Sequence, residues 1–288
     1  MNGRMETLLC CSRYALIWAW LLVPIVAVPQ IRIEVGTAPT AQSAALKDQV
    51  QLALLPHPEF ADIDVHITIG AVALQEELRR DEDHPIIAAY LTSTDFQAII
   101  GAEKRPRRVT AVFANPDPRD QLTLARVLLG EHAVVGVFDS SAADSLLRPP
   151  VSNTLRSLKA RSAGDINSIL HQADSLDALL VLPDGVLTRD NIHHAVRTLY
   201  GRRVVLIGHS EILTRVGSLA SVYVPATSIA VTVRDILTHY VATRELPPPA
   251  FVADVDVAVN ARLARSLNLI VPPPSALVHA VRAGRQPP

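Results

Sequence analysis

Short apolar runs alternate along the chain with stretches whose apolar residues recur at helical spacing. The alternation is clearest over residues 178–219. ALLVLP is an unbroken apolar run, as a central parallel strand buried on both faces requires. Asp184 and Gly185 interrupt it, Thr188 can cap a helix running to Tyr200, and Gly201 stands where a C-terminal cap belongs. VVLIGHS is a second such strand and again ends in small and polar residues.

The same alternation opens the chain. Strands are expected over 30–36, 62–70, 85–90 and 108–114, with helices over 42–55, 71–80 and from Phe96. Thr94 and Gln97 have the spacing of a capping box, and Asp117, Pro118 and Asp120 make a strong helix start. After Gly130 the order restarts with a strand at AVVGVFD and a helix capped by Ser141 with Asp144. A short strand over 153–160 and a helix from Ser162 through Ala173 follow. SVYVP and FVADVDVAVN read as further strands, 230–242 and ARLARSLNL as helices, and the last ten residues as a fraying end.

Repeated strand–helix units of this kind build open α/β sheets. The 288 residues leave room for two units of about 120 residues each. The expected architecture is therefore two Rossmann-like lobes, each with an open parallel sheet, facing each other across an interlobe cleft. Residues 30–132 are expected to form the first lobe and 133–246 the second. Residues 247–288 then supply a crossover and a terminal segment packed on the lobes.

The N-terminus is of a different kind. Arg4 and Arg13 precede YALIWAWLLVPIVAV, fifteen residues without a charge. This is the basic region and apolar core of a secretory signal, short for a membrane span of about 20 residues. Residues 1–29 are expected to direct export to the periplasm, or alternatively to remain as an anchor. Cys10 and Cys11 both precede the apolar run, so the body from residue 30 has no cysteine. That excludes a disulfide framework, thiolate metal ligands and cysteine catalysis from the body. A net charge of -1 and 4% aromatic residues supply neither the field nor the stacking surface for nucleic acid.

Ligands of open parallel sheets sit just beyond the carboxyl ends of the strands. Compact polar residues stand at several such ends. Thr68 and Gly70 offer a hydroxyl and exposed amides. Thr92 and Ser93 occupy the equivalent place in the next unit, one hydroxyl there being needed as a helix cap. Ser140 and Ser141 open the first helix of the second lobe, where backbone N–H groups favour anionic groups. Asp184 can accept an ammonium or hydroxyl donor, or form a turn with Gly185. His209 and Ser210 follow the strand VVLIG and complete the candidate ligand-binding set.

Catalytic constellations are sparse. The glycine spacing around IGHSE is not that of a nucleophile elbow, and Asp184, His209 and Ser210 lack the separation of a relay. His57, His66 and His84 share no recurring metal spacing, and HExxH, GxGxxG and phosphate-loop motifs are missing. Neither a metal nor a cofactor is expected, nor is the chain expected to be an enzyme.

Three segments carry a family resemblance: LVLPD at 180–184, VLIGHSEILTRVGSL at 205–219 and VAVNARLARSLNLIVP at 257–272. The last is the most diagnostic, with Asn260, Leu267 and Pro272 in corresponding places. DIDVHITIGAVAL, HPIIAAYLTSTDF and DPRDQLTLARVLLGEHAVVGVF agree more weakly. Together they resemble the ABC transporter substrate-binding proteins that include the tryptophan/tyrosine-binding group, over about residues 30 to 275. The resemblance implies a type I periplasmic binding fold. It implies a monomer that captures a small-molecule solute by hinge closure and hands it to the membrane permease of an ABC transporter. A sensory or accessory module partnering another membrane protein is the alternative. Arg215, Val216, Gly217 and Ser218 stand where the family often has arginine, alanine, glycine, alanine. An aromatic amino acid would need an aromatic wall, for which Tyr90 and Phe96 are available, and a cationic partner, for which no arginine stands at a strand end.

Overall fold

The two sheets divide the strands by chain order. In the computed structural model, β1 (Arg32–Val35), β2 (His66–Ile69), β3 (Ile86–Leu91) and β4 (Val109–Phe113) form one sheet in that order, all parallel. A second sheet holds β5 (Val135–Phe138), β6 (Leu155–Leu158), β7 (Ala178–Leu180), β8 (Val205–Gly208), β9 (Ala220–Tyr223) and β10 (Asp256–Val259). Its order is β10-β9-β8-β7-β5-β6. The structure describes residues 31–36, 40–60, 63–80, 82–148, 152–159, 172–188 and 190–285. The expected export signal, and nearly all of the helix expected from Ser162, lie outside them.

One strand departs from the expected parallel order. β10 runs antiparallel to β9, with Asp256 opposite Tyr223. The cause is the crossover. Ala250 bridges to Val112 of the first sheet, so the chain returns to the second sheet at the end where β9 leaves it. The strand is also shorter than FVADVDVAVN suggests, because the preceding residues make this crossing.

The helices are α1 (Ala41–Leu54), α2 (Ala71–Leu78), α3 (Ser93–Ala102), α4 (Pro118–Leu129) and α5 (Asp144–Leu147). After them come α6 (Ile192–Gly201), α7 (Glu211–Val216), α8 (Ala226–Thr243), α9 (Ala261–Ser266) and α10 (Pro274–Ala283). Among the described residues no helix is long and apolar enough to cross a membrane. Asp117 caps α4 as expected, its carboxylate accepting from the N–H of Arg119. Thr92, not Thr94, caps α3, accepting from the N–H of Asp95. The β3 strand ends at Leu91, so the capping position falls two residues earlier than the Thr94–Gln97 spacing implies. Ser141 heads a 3-10 turn (Ser141–Ala143) rather than capping a helix by its side chain. Thr188 does not cap α6 either. Asn191 closes the preceding loop by accepting from the Thr188 N–H and donating to the Val186 carbonyl, and the helix starts after it. Gly201 is the last helical residue, and Arg203 takes the left-handed backbone instead.

The sequence limits at 132 and 246 do not separate the helices as the lobes do. Leu122, Leu124, Ala125 and Leu128 of α4 pack in the second lobe, with Val135, Val137 and Val222. Ile229, Val233, Ile236 and Leu237 of α8 pack in the first, with Leu46, Val50, Ile67 and Ile69. Each lobe thus lends one helix to the other. Of the last ten residues, expected to fray, 279–285 are described and continue or close the helix that begins at Pro274. Leu277 and Val281 lie one helical turn apart on α10 and are both fully buried against α4 and β10. Arg285 then grips the Asp120 carboxylate and donates to the carbonyls of Val252 and Ala253, fastening the chain end to the crossover.

Candidate functional site

Residues from the carboxyl ends of β3, β4, β8 and β9 line a cleft of 480 Å³ between the lobes. The first lobe contributes Gln42, Tyr90, Thr92 and Asn115. The second contributes His209, Ser210, Glu211, Arg215 and Tyr223, with Val224 and Pro225 at the crossing into α8. Polar side chains therefore face the same space from both lobes.

Tyr90 is held in an unusual state. Its φ is 60°, and the strand register slips between Ala89 and Leu91. Left-handed backbone costs a non-glycine residue about 1–2 kcal/mol, and such strain collects at ligand sites. The slip turns the ring out of the strand alternation. Its hydroxyl donates to Oε1 of Gln42 at 2.9 Å, and burial pushes its pKa up, so it remains a donor. Behind it, Asn115 locks the wall. Its Oδ1 accepts from the Ser93 N–H at 2.8 Å, and its Nδ2 donates to the Ser93 hydroxyl and the Pro116 carbonyl.

On the opposite wall, Nδ1 of His209 donates to the Val181 carbonyl at 2.8 Å. Burial lowers the His209 pKa, outweighing the bond to Val181. The ring is thus neutral with its proton on Nδ1, and Nε2 is an acceptor. Gln121 of α4 is fully buried and donates to the carbonyls of both Val181 and Ile207, fixing the ends of β7 and β8. Arg215 pairs with Glu211 one turn away at 2.5 Å, and the Tyr223 hydroxyl donates to Asp256 at 3.2 Å.

Of the residues singled out from sequence, Thr92, His209 and Ser210 are brought together in this cleft. The Thr92 hydroxyl is engaged by Asp95, as both cap acceptor and donor. Ser210 precedes α7 without a side-chain cap bond. Ser93 lies buried behind the wall, held by Asn115. Thr68 is fully buried within β2 rather than at its end, its hydroxyl without a partner, and it is not part of the cleft lining. Gly70 makes the turn into α2 with φ 92°, its N–H bonded to Ala89. Ser140 and Ser141 also stand away from the cleft lining, on the 3-10 turn that packs against α3 of the other lobe. Asp184 and Gly185 form a turn: Oδ1 of Asp184 accepts from Val186, and Gly185 has φ 75°. The second Asp184 oxygen is buried without a partner, and burial raises this carboxyl to about 6.

Of the two aromatic side chains considered for a wall, Tyr90 reaches the cleft. Phe96 is core, packed edge-on against Phe113 at 5.7 Å. Arg215 supplies the cation that strand ends lack, from the last turn of the short helix α7. Asn115, Gln121 and Tyr223 were not singled out from sequence. Asn115 follows the end of β4 and so carried the strand-end signal, Gln121 lies in the polar first turn of α4, and Tyr223 interrupts an apolar run. The histidine spacing likewise hid a meeting: His66 and His84 come together with Glu77 at the far end of the first lobe.

No protein-family model matches the sequence, and no curated protein matches it. Solved structures do match in fold. The ABC domain in complex with L-Trp from Streptococcus pneumonia aligns at a TM-score of 0.57 and 16% identity, over 87% of this chain and 98% of that one. The ligand-free, open form of a substrate-binding protein with adhesive properties from Clostridium difficile aligns at 0.65 and 14% identity, over 85% and 96%. A conserved domain protein from Vibrio cholerae aligns at 0.53 and 18% identity, over 82% of each chain. With its two lobes, exchanged helices and opposed strand ends, the chain has the two-lobed α/β fold of type I periplasmic binding proteins.

Proposed function

We propose that this protein is an exported solute-binding component of an ABC-type transport system. It captures a small polar organic molecule between its lobes by hinge closure and passes it to a membrane permease without chemical turnover. The observation that carries this reading is the double-sided cleft. Asn115, Thr92 and Tyr90 on one wall and His209, Ser210 and Arg215 on the other reach a common space of 480 Å³. That volume suits a small metabolite. Closing the lobes on a solute that bonds to both walls stabilises the closed state only as far as the solute prefers it.

The chemistry of the walls narrows the solute. The Tyr90 hydroxyl, its proton given to Gln42, and the neutral His209 ring offer acceptors, and Arg215 with Glu211 a matched pair of opposite charges at the rim. A solute with both donors and acceptors and little net charge fits this set. Amino acids therefore belong in the trial panel with small acids, amides and nucleosides. The test is a thermal-shift screen of that panel, followed by calorimetry. A ligand at a hundred times its Kd should add about 2.7 kcal/mol of stability. Ser210→Ala and Asn115→Ala should each weaken that solute, one from each wall. Product formation from any panel member, or a bound solute insensitive to both substitutions, would reject the reading.

A further inference from the structure

We infer that His66, Glu77 and His84 form a binding site for a divalent transition metal of the zinc type. The site is at the amino ends of β2 and β3, remote from the strand ends that form the cleft.

The backbone brings the ligands together. His66 opens β2 opposite Ile86 of β3, and its N–H donates to the Pro85 carbonyl. His84 stands two residues before Ile86, so it falls on the same face as His66. Glu77 descends onto that face from the last turn of α2. All three are buried: His66 and His84 are 6% exposed and Glu77 1%.

The donor atoms converge. Nδ1 of His66 lies 2.7 Å from Oε1 of Glu77, and Nε2 of His84 lies 2.5 Å from the same oxygen. The two imidazole rings are only 3.4 Å apart between centroids. Two imidazoles and one carboxylate are a donor set of zinc, with bonds of about 2.0–2.2 Å and a fourth position for water. Around such an ion the donors would stand about 3.3 Å apart. The oxygen–nitrogen distances would open from 2.7 and 2.5 Å to that value, and the two rings would splay apart as the ion enters.

The other ring nitrogen of His66 lies 4.0 Å from Oδ1 of Asp64, and that of His84 3.6 Å from Oε2 of Glu82, both beyond hydrogen-bond distance. Arg80 binds the second oxygen of Glu77 at 2.5 Å and is itself held by Glu34 at 2.8 Å, leaving Oε1 for the metal. Glu82 is exposed and lies beside Nδ1 of His84 rather than the ligating Nε2, which leaves the fourth position to water.

The full chain is titrated with Co²⁺ as a spectroscopic probe and then with Zn²⁺. One equivalent should give the intense visible absorption of a four- or five-coordinate site, and Zn²⁺ should displace it. His66→Gln and His84→Gln should each weaken Zn²⁺ by about a hundredfold or more, since even partners behind the ligands change affinity 10–100-fold. His193→Gln, on the exposed face of α6, should change nothing. Weak six-coordinate absorption alone, or affinity unchanged in both histidine variants, overturns the site. Should those variants fail to fold, paramagnetic broadening of amide signals by Co²⁺ decides on the unaltered chain. Broadening centred on 64–68 and 77–86 supports the site; broadening centred elsewhere overturns it.

Discussion

Asp184→Asn should make this protein more stable at neutral pH and leave it nearly unchanged near pH 4. One Asp184 oxygen accepts from Val186, and the other is buried with no partner. Burial raises the carboxyl from 3.8 to about 6, the backbone hydrogen bonds opposing the rise. In the window between those values the folded chain holds a proton that the unfolded chain has lost. The slope of stability with pH is then negative. The contribution of the group is fully present below 3.8 and is lost as pH rises through about 6. At about 1.4 kcal/mol per pH unit, the ionised form costs the folded state about 3 kcal/mol at pH 7. Asparagine keeps the acceptor for Val186 and cannot ionise. For a chain of this length, 3 kcal/mol corresponds to roughly 5 °C in Tm. Urea unfolding at pH 4 and pH 7.5 measures both arms. Equal wild-type and variant stability at pH 7.5 would refute the reasoning. So would a gain of the same size at both pH values, which would belong to packing and not to ionisation.

Three further substitutions test other parts of the structure. Arg285→Ala leaves Asp120, 1% exposed, as an unpaired buried carboxylate and should cost about 3–5 kcal/mol in urea unfolding; adding Asp120→Asn should return part of it. Gly208→Ala places a Cβ 2.4 Å from the Ser221 hydroxyl and 2.7 Å from the Leu213 Cβ, so about 1–3 kcal/mol should be lost, with weaker solute binding as His209 shifts. Tyr90→Phe removes the bond to Gln42 and should alter stability by under about 1 kcal/mol while weakening the captured solute up to about tenfold, read by calorimetry.

The strands were legible because a buried parallel strand needs only a run of apolar residues, and ALLVLP, VVLIG and IIAAYL each supply one. Helix starts were legible where one side chain decides them, as at Asp117. They were misplaced where more than one polar residue competes for the start. Thr92 takes the cap of α3 from Thr94, with Asn115 also engaging the Ser93 N–H, and Asn191 folds the loop before α6 in place of a Thr188 cap. The exchange of α4 and α8 between lobes was not legible at all. Periodicity gives each helix an apolar face and does not say which sheet that face meets. The site followed the same division. His209 and Ser210 were found because they follow a strand end, whereas the strained Tyr90 depends on a register slip between β3 and β4 that no composition encodes. The cluster of His66, Glu77 and His84 depends on the register of β2 against β3, so no spacing motif records it.

The lobes have separate cores, and under the proposed function this separation would make closure physically cheap. Leu46, Ile67, Ile69 and Val112 belong to the first lobe's interior, and Val135, Val205, Ile207 and Val222 to the second's. Val224 is partly buried against both clusters, at the crossing from β9 into α8. Rotation of one lobe on the other therefore need not open a packed core, where each lost contact would be expensive. Under the proposed function the bending would fall on the crossings: after Asn115 into α4, at Val224 and Pro225 into α8, and at 250–255 on the return. Asn115, Val224 and Pro225 also line the cleft. The residues that set the hinge angle are thus neighbours of any solute held there. Under the proposed function, a solute bridging Asn115 and Ser210 would bias the hinge directly, with no longer chain of contacts between site and pivot.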